Sequence, residues 1–169
     1  MIEILVAPIG GGKSTYAAKR AREGAIVIND DAIVTMVHGG DYGLYQKRLK
    51  PLYKLVENQI LTTGMLMGVD IVIDRPNYRR RTRMRYTSLA HSFEVDNLHV
   101  PCRCILWPWT TPEESASRRH AHDDRGHPYE HWLKAAKNHY ANYEEPTLDE
   151  GYVEIVTPTA QVPTIPQPR

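Results

Sequence analysis

The apolar run Ile2-Glu3-Ile4-Leu5-Val6 passes directly into Ala7-Pro8-Ile9-Gly10-Gly11-Gly12-Lys13-Ser14-Thr15, and then into the helix-forming Tyr16-Ala17-Ala18-Lys19-Arg20. A strand, a glycine turn and a helix in that order leave few folds open. Three glycines let backbone N–H groups turn inward around an anion, and the helix that follows points its positive end at the same place. The pattern G-x-x-x-x-G-K-[ST] is met except at its first position, here Ala7, which enters the loop rather than lying against phosphate. Gly10, Gly11, Gly12, Lys13, Ser14 and Thr15 thus read as a cradle for the triphosphate of ATP or another NTP. Lys13 would reach the β- and γ-phosphates, and the Ser14 hydroxyl would take one position on Mg²⁺.

Beyond the cradle, short β-branched runs alternate with helical patterns, the signature of βαβ units. The expected strands are Ile2 to Val6, Ala25 to Ile28, Val69 to Ile73, Leu98 to Leu106 and Tyr152 to Val156. Helices are expected from Lys13, after Asp30, around Leu49 to Met67, over Arg79 to Ala90, and around Pro112 to Arg119 and Tyr129 to Tyr143. The fold class is α/β: a P-loop NTPase fold with a parallel sheet of about five strands flanked by helices. A chain of 169 residues, 41% hydrophobic, fits one compact domain, expected over 1–156. The tail over 157–169, with Pro158, Pro163, Pro166 and Pro168, should be extended or disordered.

A formal net charge of +1 gives no global sign of nucleic-acid or membrane binding, so such a partner must be argued from local clusters. No apolar run approaches the roughly 18 residues of a membrane span, and the N-terminus lacks the order of a signal peptide. The expected location is the cytoplasm. Cys102 and Cys104 alternate onto one face of a strand and read as buried small apolar residues.

In an open α/β sheet the ligand sits beyond the carboxyl ends of the strands. The groups found there are Asn29-Asp30-Asp31, Asp74-Arg75-Pro76-Asn77 and Pro108-Trp109-Thr110. One of Asp30 and Asp31 is expected to cap the helix it opens. The other is the candidate base that accepts a proton from an attacking hydroxyl. Asp74, ending Ile71-Val72-Ile73, sits where an acid commonly holds Mg²⁺, the alternative being a cap for the next helix.

The ordered set of cradle, Asn-Asp-Asp, Ile-Val-Ile-Asp-x-x-Asn with an arginine-rich helix, Pro-Trp-Thr and an arginine-bearing segment resembles the kinase domain of phage polynucleotide kinase. The likeness covers roughly Met1 to Tyr143. It implies an adenylate-kinase-like architecture with a helical lid, about 112–128. It also implies ATP-dependent transfer of the γ-phosphoryl group to a hydroxyl of DNA or RNA, with Asp30 as general base and Arg119 and Arg125 clamping the donor phosphates. Arg118 is an alternative to Arg119. A phage protein of this kind would work in the host cytoplasm.

The family's D-x-x-R pattern places an acceptor-binding arginine where this chain has Ile33. The expected substitute is the run Asn77-Tyr78-Arg79-Arg80-Arg81-Thr82-Arg83-Met84-Arg85, in which Arg79 and Arg83, and Arg81 and Arg85, pair at i, i+4. Such arginine density suits a nucleic-acid backbone. Asp31, Asn77, Arg79 and Arg83 are accordingly the candidate acceptor-binding residues.

Related phage enzymes phosphorylate a hydroxymethyl group on a pyrimidine such as 5-hydroxymethyluracil in DNA, and the missing arginine keeps that acceptor open. A base-borne hydroxyl would need the base flipped or tilted toward Asp30, with Tyr42, Tyr45 or Tyr78 available for stacking. His120, His122, His127 and His131, near Asp123 and Asp124, have a composition that could coordinate zinc or nickel but match no closed tetrahedral signature; a stacking or donor contact by one of them is the stronger expectation. Trp109 and Trp132 read as packing groups at the ends of the lid. Two other classes stay open: a small-molecule or nucleotide-sugar kinase of toxin-like type, and a nucleotide-gated binding module without transfer.

Overall fold

A computed structural model of the chain describes residues 1–93, 99–123 and 126–158. Five strands, β1 (Ile2–Val6), β2 (Ile26–Ile28), β3 (Ile71–Ile73), β4 (Cys102–Leu106) and β5 (Glu154–Val156), form one sheet in the order β2-β3-β1-β4-β5. Every pairing is parallel. Among the described residues six α-helices flank the sheet: α1 (Lys13–Arg22), α2 (Asp30–Val37), α3 (Lys50–Leu66), α4 (Arg80–Ser92), α5 (Pro112–Ala121) and α6 (Tyr129–Ala141). The expected α/β architecture is the observed one. Short 3₁₀ turns at Tyr42–Leu44 and Lys47–Leu49 carry the chain from α2 to α3.

Four strands are shorter than the apolar runs suggested. Val69 N–H bonds the Gly64 carbonyl in the turn out of α3, and the regular ladder of β3 starts at Ile71. Likewise Ala25 N–H bonds the Arg20 carbonyl, and β2 starts one residue later. Pro101 precedes β4, which starts at Cys102; Leu98 lies outside the described residues, as does the tail from 159.

Alternation along the strands divides the core in two. Ile2, Ile4 and Val6 of β1, Ile71 and Ile73 of β3, and Cys102 and Cys104 of β4 face one cluster with Leu61 and Met65 of α3 and Tyr86 of α4. Leu5, Val72 and Ile105 face Ala17 of α1 on the other side. Glu3 shares that second face and is wholly buried, with Arg20 Nε at 2.9 Å, Arg103 Nε at 3.0 Å and the Tyr16 hydroxyl at 3.1 Å. A buried carboxylate is tolerable only when partnered in this way. The result fastens α1 and β4 to β1, the strand that delivers the glycine loop.

Candidate functional site

The glycine loop leaves the buried end of β1 between β3 and β4, at the carboxyl edge of the sheet. Gly10 and Gly12 have φ of 68° and 92°, conformations that side chains rarely adopt. A Cβ on Gly10 would stand 2.8 Å from the Ser115 carbonyl oxygen and 2.9 Å from the Arg119 nitrogen, so α5 lies against the loop. Ala7 Cβ sits 3.1 Å from where a Gly11 Cβ would be, so position 11 has little room for a side chain. Helix α1 has no acidic residue in its first turn and no side-chain cap, which leaves its N–H groups to a ligand.

Lys13 Nζ donates to the carbonyls of Pro8 at 2.8 Å and Ala7 at 3.3 Å. Burial pushes its pKa down to about 8, with nearby Asp74 opposing. Asp74 is 7% exposed, and its side chain hydrogen-bonds Ser14 and Asn29. Burial raises its pKa; Lys13, Asn29 and Ser14 hold it back. Helix α4 begins at Arg80 with Arg79 at its cap position, so Asp74 caps nothing and stays beside the loop.

Helix α2 is capped by Asn29, whose Oδ1 accepts from the N–H groups of Asp31 and Ala32 at 2.9 and 3.2 Å. The expectation that one of the two acids would cap is therefore corrected: both sit in the first helical turn. Asp30 pairs with Arg75. The Asp30 side chain is 64% exposed; partial desolvation raises its pKa, Arg75 opposes, and Glu57 adds to the rise.

Two cavities meet here. One, of about 680 Å³, is lined by the glycine loop, Asp74, Arg118, Arg119 and His122. The other, of about 380 Å³, is lined by Asp30, Tyr42, Tyr45, Tyr53, Lys54 and Glu57. Asp31 and Arg75 line both. Tyr42 and Tyr45 are 37% and 38% exposed, with ring centroids 6.4 Å apart and planes 15° apart, and Tyr45 in turn stacks on Tyr53 at 5.8 Å.

On the lid side, Arg119 lies over the Trp132 ring at 4.4 Å and donates to the His122 carbonyl at 2.8 Å, while Arg118 pairs with Glu114. Arg125 lies outside the described residues. Trp109 stacks on Tyr143 at 4.0 Å, so both tryptophans are packing groups. No group of three or more His, Cys, Asp or Glu among the described residues could hold a metal ion.

The acceptor residues expected from α4 fare differently. Arg83 is 0% exposed and binds Glu150 through Nε and Nη2, both at 2.7 Å, so it belongs to the interior rather than to an acceptor surface. Asn77 is also interior: at φ 46°, its Nδ2 donates to the carbonyls of Leu5, Arg75 and Ile73 and ties together the ends of β1 and β3. Arg79 is exposed but reaches Asn142 at 2.6 Å and lines neither cavity. Arg80 takes Asp149, and Arg85 takes Glu57 and Asn58. Tyr78 stacks on His139 at 4.5 Å, away from the tyrosine-lined cavity, and burial pushes His139 down to about 4, neutral near pH 7.

The residues missed in the sequence are Glu57, Arg75, Tyr53 and Lys54. Two of them carried a signal: Arg75 by its place at the carboxyl end of the third strand, and Glu57 as an acid on the buried Tyr53, Glu57, Leu61 face of α3. Ile33 turns into the core, and the cation beside Asp30 comes from Arg75 at the end of β3.

A glycine loop between a buried parallel strand and an uncapped helix, with a lysine in the loop and an acid at the end of the neighbouring strand, defines a P-loop α/β protein. The family model described as an AAA domain matches residues 4–146, and the chain belongs to that family. No curated protein sequence matches it. Among solved structures it is similar to a fungal RNA kinase, with TM-score 0.60 and 16% identity over 92% of this chain and 37% of that one. It is also similar to a gluconokinase from Sinorhizobium meliloti 1021, with TM-score 0.56 and 17% identity over 92% and 79%. The chain thus spans little more than a third of the RNA kinase's length, and the likeness to both is one of fold.

Proposed function

We propose that this chain is an ATP-dependent phosphotransferase of the polynucleotide kinase type. It moves the γ-phosphoryl group to a hydroxyl of DNA or RNA, at a 5′ end or on the hydroxymethyl of a modified pyrimidine. The observation that carries the reading is that a loop-lined cavity and a tyrosine-lined cavity meet at Asp31 and Arg75, with Asp30 on the acceptor side.

In this reading the N–H groups of Gly10 to Thr15 and Lys13 hold the triphosphate. Mg²⁺ fits beside Ser14 and Asp74, an oxygen pair at the foot of the loop, and supplies charge neutralisation on the phosphates when bound. Asp30 accepts the proton of the incoming hydroxyl and orients that oxygen. Arg119, with Arg118 as the alternative, clamps the donor phosphates from a lid that excludes water from the donor. Tyr42 and Tyr45 offer stacking faces for a base, and Lys50 and Lys54 at the same cavity suit an acceptor phosphate. The unit 1–156 performs this in the cytoplasm, that of the host if the chain is a phage product.

A small-molecule acceptor is the second reading, favoured by one observation. The arginines of α4 that a nucleic-acid backbone would need are largely engaged within the chain, Arg80 by Asp149 and Arg83 by Glu150. Incubation with γ-labelled ATP and, separately, 5′-hydroxyl DNA, 5′-hydroxyl RNA, duplex containing 5-hydroxymethyluracil, and a mixture of nucleosides and sugar acids tests both. Label in one of the first three supports the proposal. Label only in the last selects the second reading, and label in none of them overturns transfer.

A further inference from the structure

Four donors converge on the Glu57 carboxylate, which is 1% exposed: the Tyr86 hydroxyl at 2.8 Å, Arg75 Nη2 at 3.1 Å, and Lys54 and Arg85 Nη1 at 3.2 Å. Burial works against its charge, but these partners outweigh it and hold the carboxyl below its ordinary range. One of them, Arg75, reaches onward to Asp30 from the same nitrogen. The Arg75 side chain is 10% exposed, and its Nε is buried without a hydrogen-bond partner among the described residues. A guanidinium carries five donors in a planar fork, and both ion pairs here leave from Nη2 alone. Arg75 lines both cavities, so its side chain stands at their border.

We propose that Arg75 is the cation at the transfer point, contacting the phosphoryl group as it crosses from donor to acceptor, and that Glu57 is its positioning residue. The inference rests on the phosphotransferase reading. In the step it serves, the acceptor oxygen forms a bond to the γ-phosphorus while the bond from that phosphorus to the β–γ bridging oxygen breaks. The electron pair leaves with ADP, and the hydroxyl proton goes to Asp30. Charge spreads over the equatorial oxygens of the phosphoryl group during this step, and a fixed guanidinium beside them stabilises that distribution more than it stabilises bound ATP. The bond to Asp30 gives the same arginine a second task, holding the base against the border that the phosphoryl must cross. A buried carboxylate with four donors is a rigid anchor for such a group.

The test is binding of ADP with and without aluminium fluoride, a mimic of the planar phosphoryl, measured by calorimetry on wild type, Arg75→Lys, Arg75→Met and Glu57→Gln. Wild type should bind ADP with aluminium fluoride much more tightly than ADP alone. Arg75→Met should lose roughly a hundredfold of that gain while ADP affinity stays within about twofold. Arg75→Lys, which keeps the charge but not the fork, should retain part of the gain. Glu57→Gln should lose part of it with ADP affinity unchanged, and added guanidinium should restore part of it to Arg75→Met. If wild type gains nothing from aluminium fluoride, the phosphotransferase reading fails and takes this one with it. If wild type gains and Arg75→Met gains equally, the assignment of Arg75 alone is overturned.

Discussion

Arg83 and Glu150 form a bidentate ion pair with both side chains fully buried, joining α4 to the segment that follows α6. Removing one partner of such a pair leaves an uncompensated charge in the interior. Arg83→Ala should therefore lower unfolding free energy by about 3–5 kcal/mol in urea titration. At temperatures where the variant remains folded, its KM for the acceptor should be unchanged. A stable variant with weakened acceptor binding would return Arg83 to the substrate surface.

Lys13 gives a pH signature. With its pKa lowered to about 8 by burial, the amine of the ligand-free protein loses its proton above pH 8, whereas bound phosphates favour the charged form. ATP affinity should be flat below pH 8 and fall above it by up to about tenfold per pH unit. Calorimetry across pH 6.5 to 9.5 measures this, and Lys13→Arg, charged throughout, should remove the inflection. An unchanged profile in that variant would detach the effect from Lys13.

Most of the architecture was legible because its signals are local. Glycines that need positive φ, a nearly continuous apolar run before them and a helix after them all lie between Ile2 and Arg22, and the sheet followed from the spacing of such runs. The α4 arginines were misread because their partners are distant in the chain: Glu150 is 67 residues from Arg83, and Asp149 is 69 from Arg80. The run holds five arginines without an interleaved acid, yet for Arg80, Arg83 and Arg85 acids arrive from 149–150 and from Glu57 on α3. The role of Arg75 was hidden for the same reason. It follows Asp74 in sequence, but its meaning comes from Glu57 and Asp30, which only the tertiary fold brings beside it. Asn29 as the cap of α2 was within reach of sequence reasoning, since Asn caps as well as Asp.

The tyrosine wall makes a separable prediction. Tyr45 stacks between Tyr42 and Tyr53, so replacing it removes the middle of a continuous aromatic face. Loss of a stacked base is worth about 1–3 kcal/mol. Tyr45→Ala should raise KM for an oligonucleotide acceptor by roughly tenfold or more. ATP affinity should hold, because the loop cavity does not include this residue. Equal KM values would remove stacking from acceptor recognition and strengthen the small-molecule reading.

Gly10 offers a test of the lid. Its φ of 68° and the 2.8 Å approach that a Cβ would make to the Ser115 carbonyl mean that Gly10→Ala must displace α5 or distort the loop. ATP affinity should fall at least about tenfold, and hydrogen exchange in α5 should rise. Wild-type affinity with unaltered exchange would show that α5 does not lie on the loop in solution.

The central claim is that a carboxylate at the start of α2 removes the proton of an alcohol beside a bound triphosphate, and Asp30→Asn addresses it most directly. With the acceptor that wild type labels, kcat for γ-phosphoryl transfer should collapse in Asp30→Asn by roughly a hundredfold or more while the Kd for ATP stays within about twofold. In wild type the same rate should fall as pH drops through the raised Asp30 pKa, above the usual aspartate range. Normal turnover in Asp30→Asn, or an equal loss of ATP binding, would contradict the account.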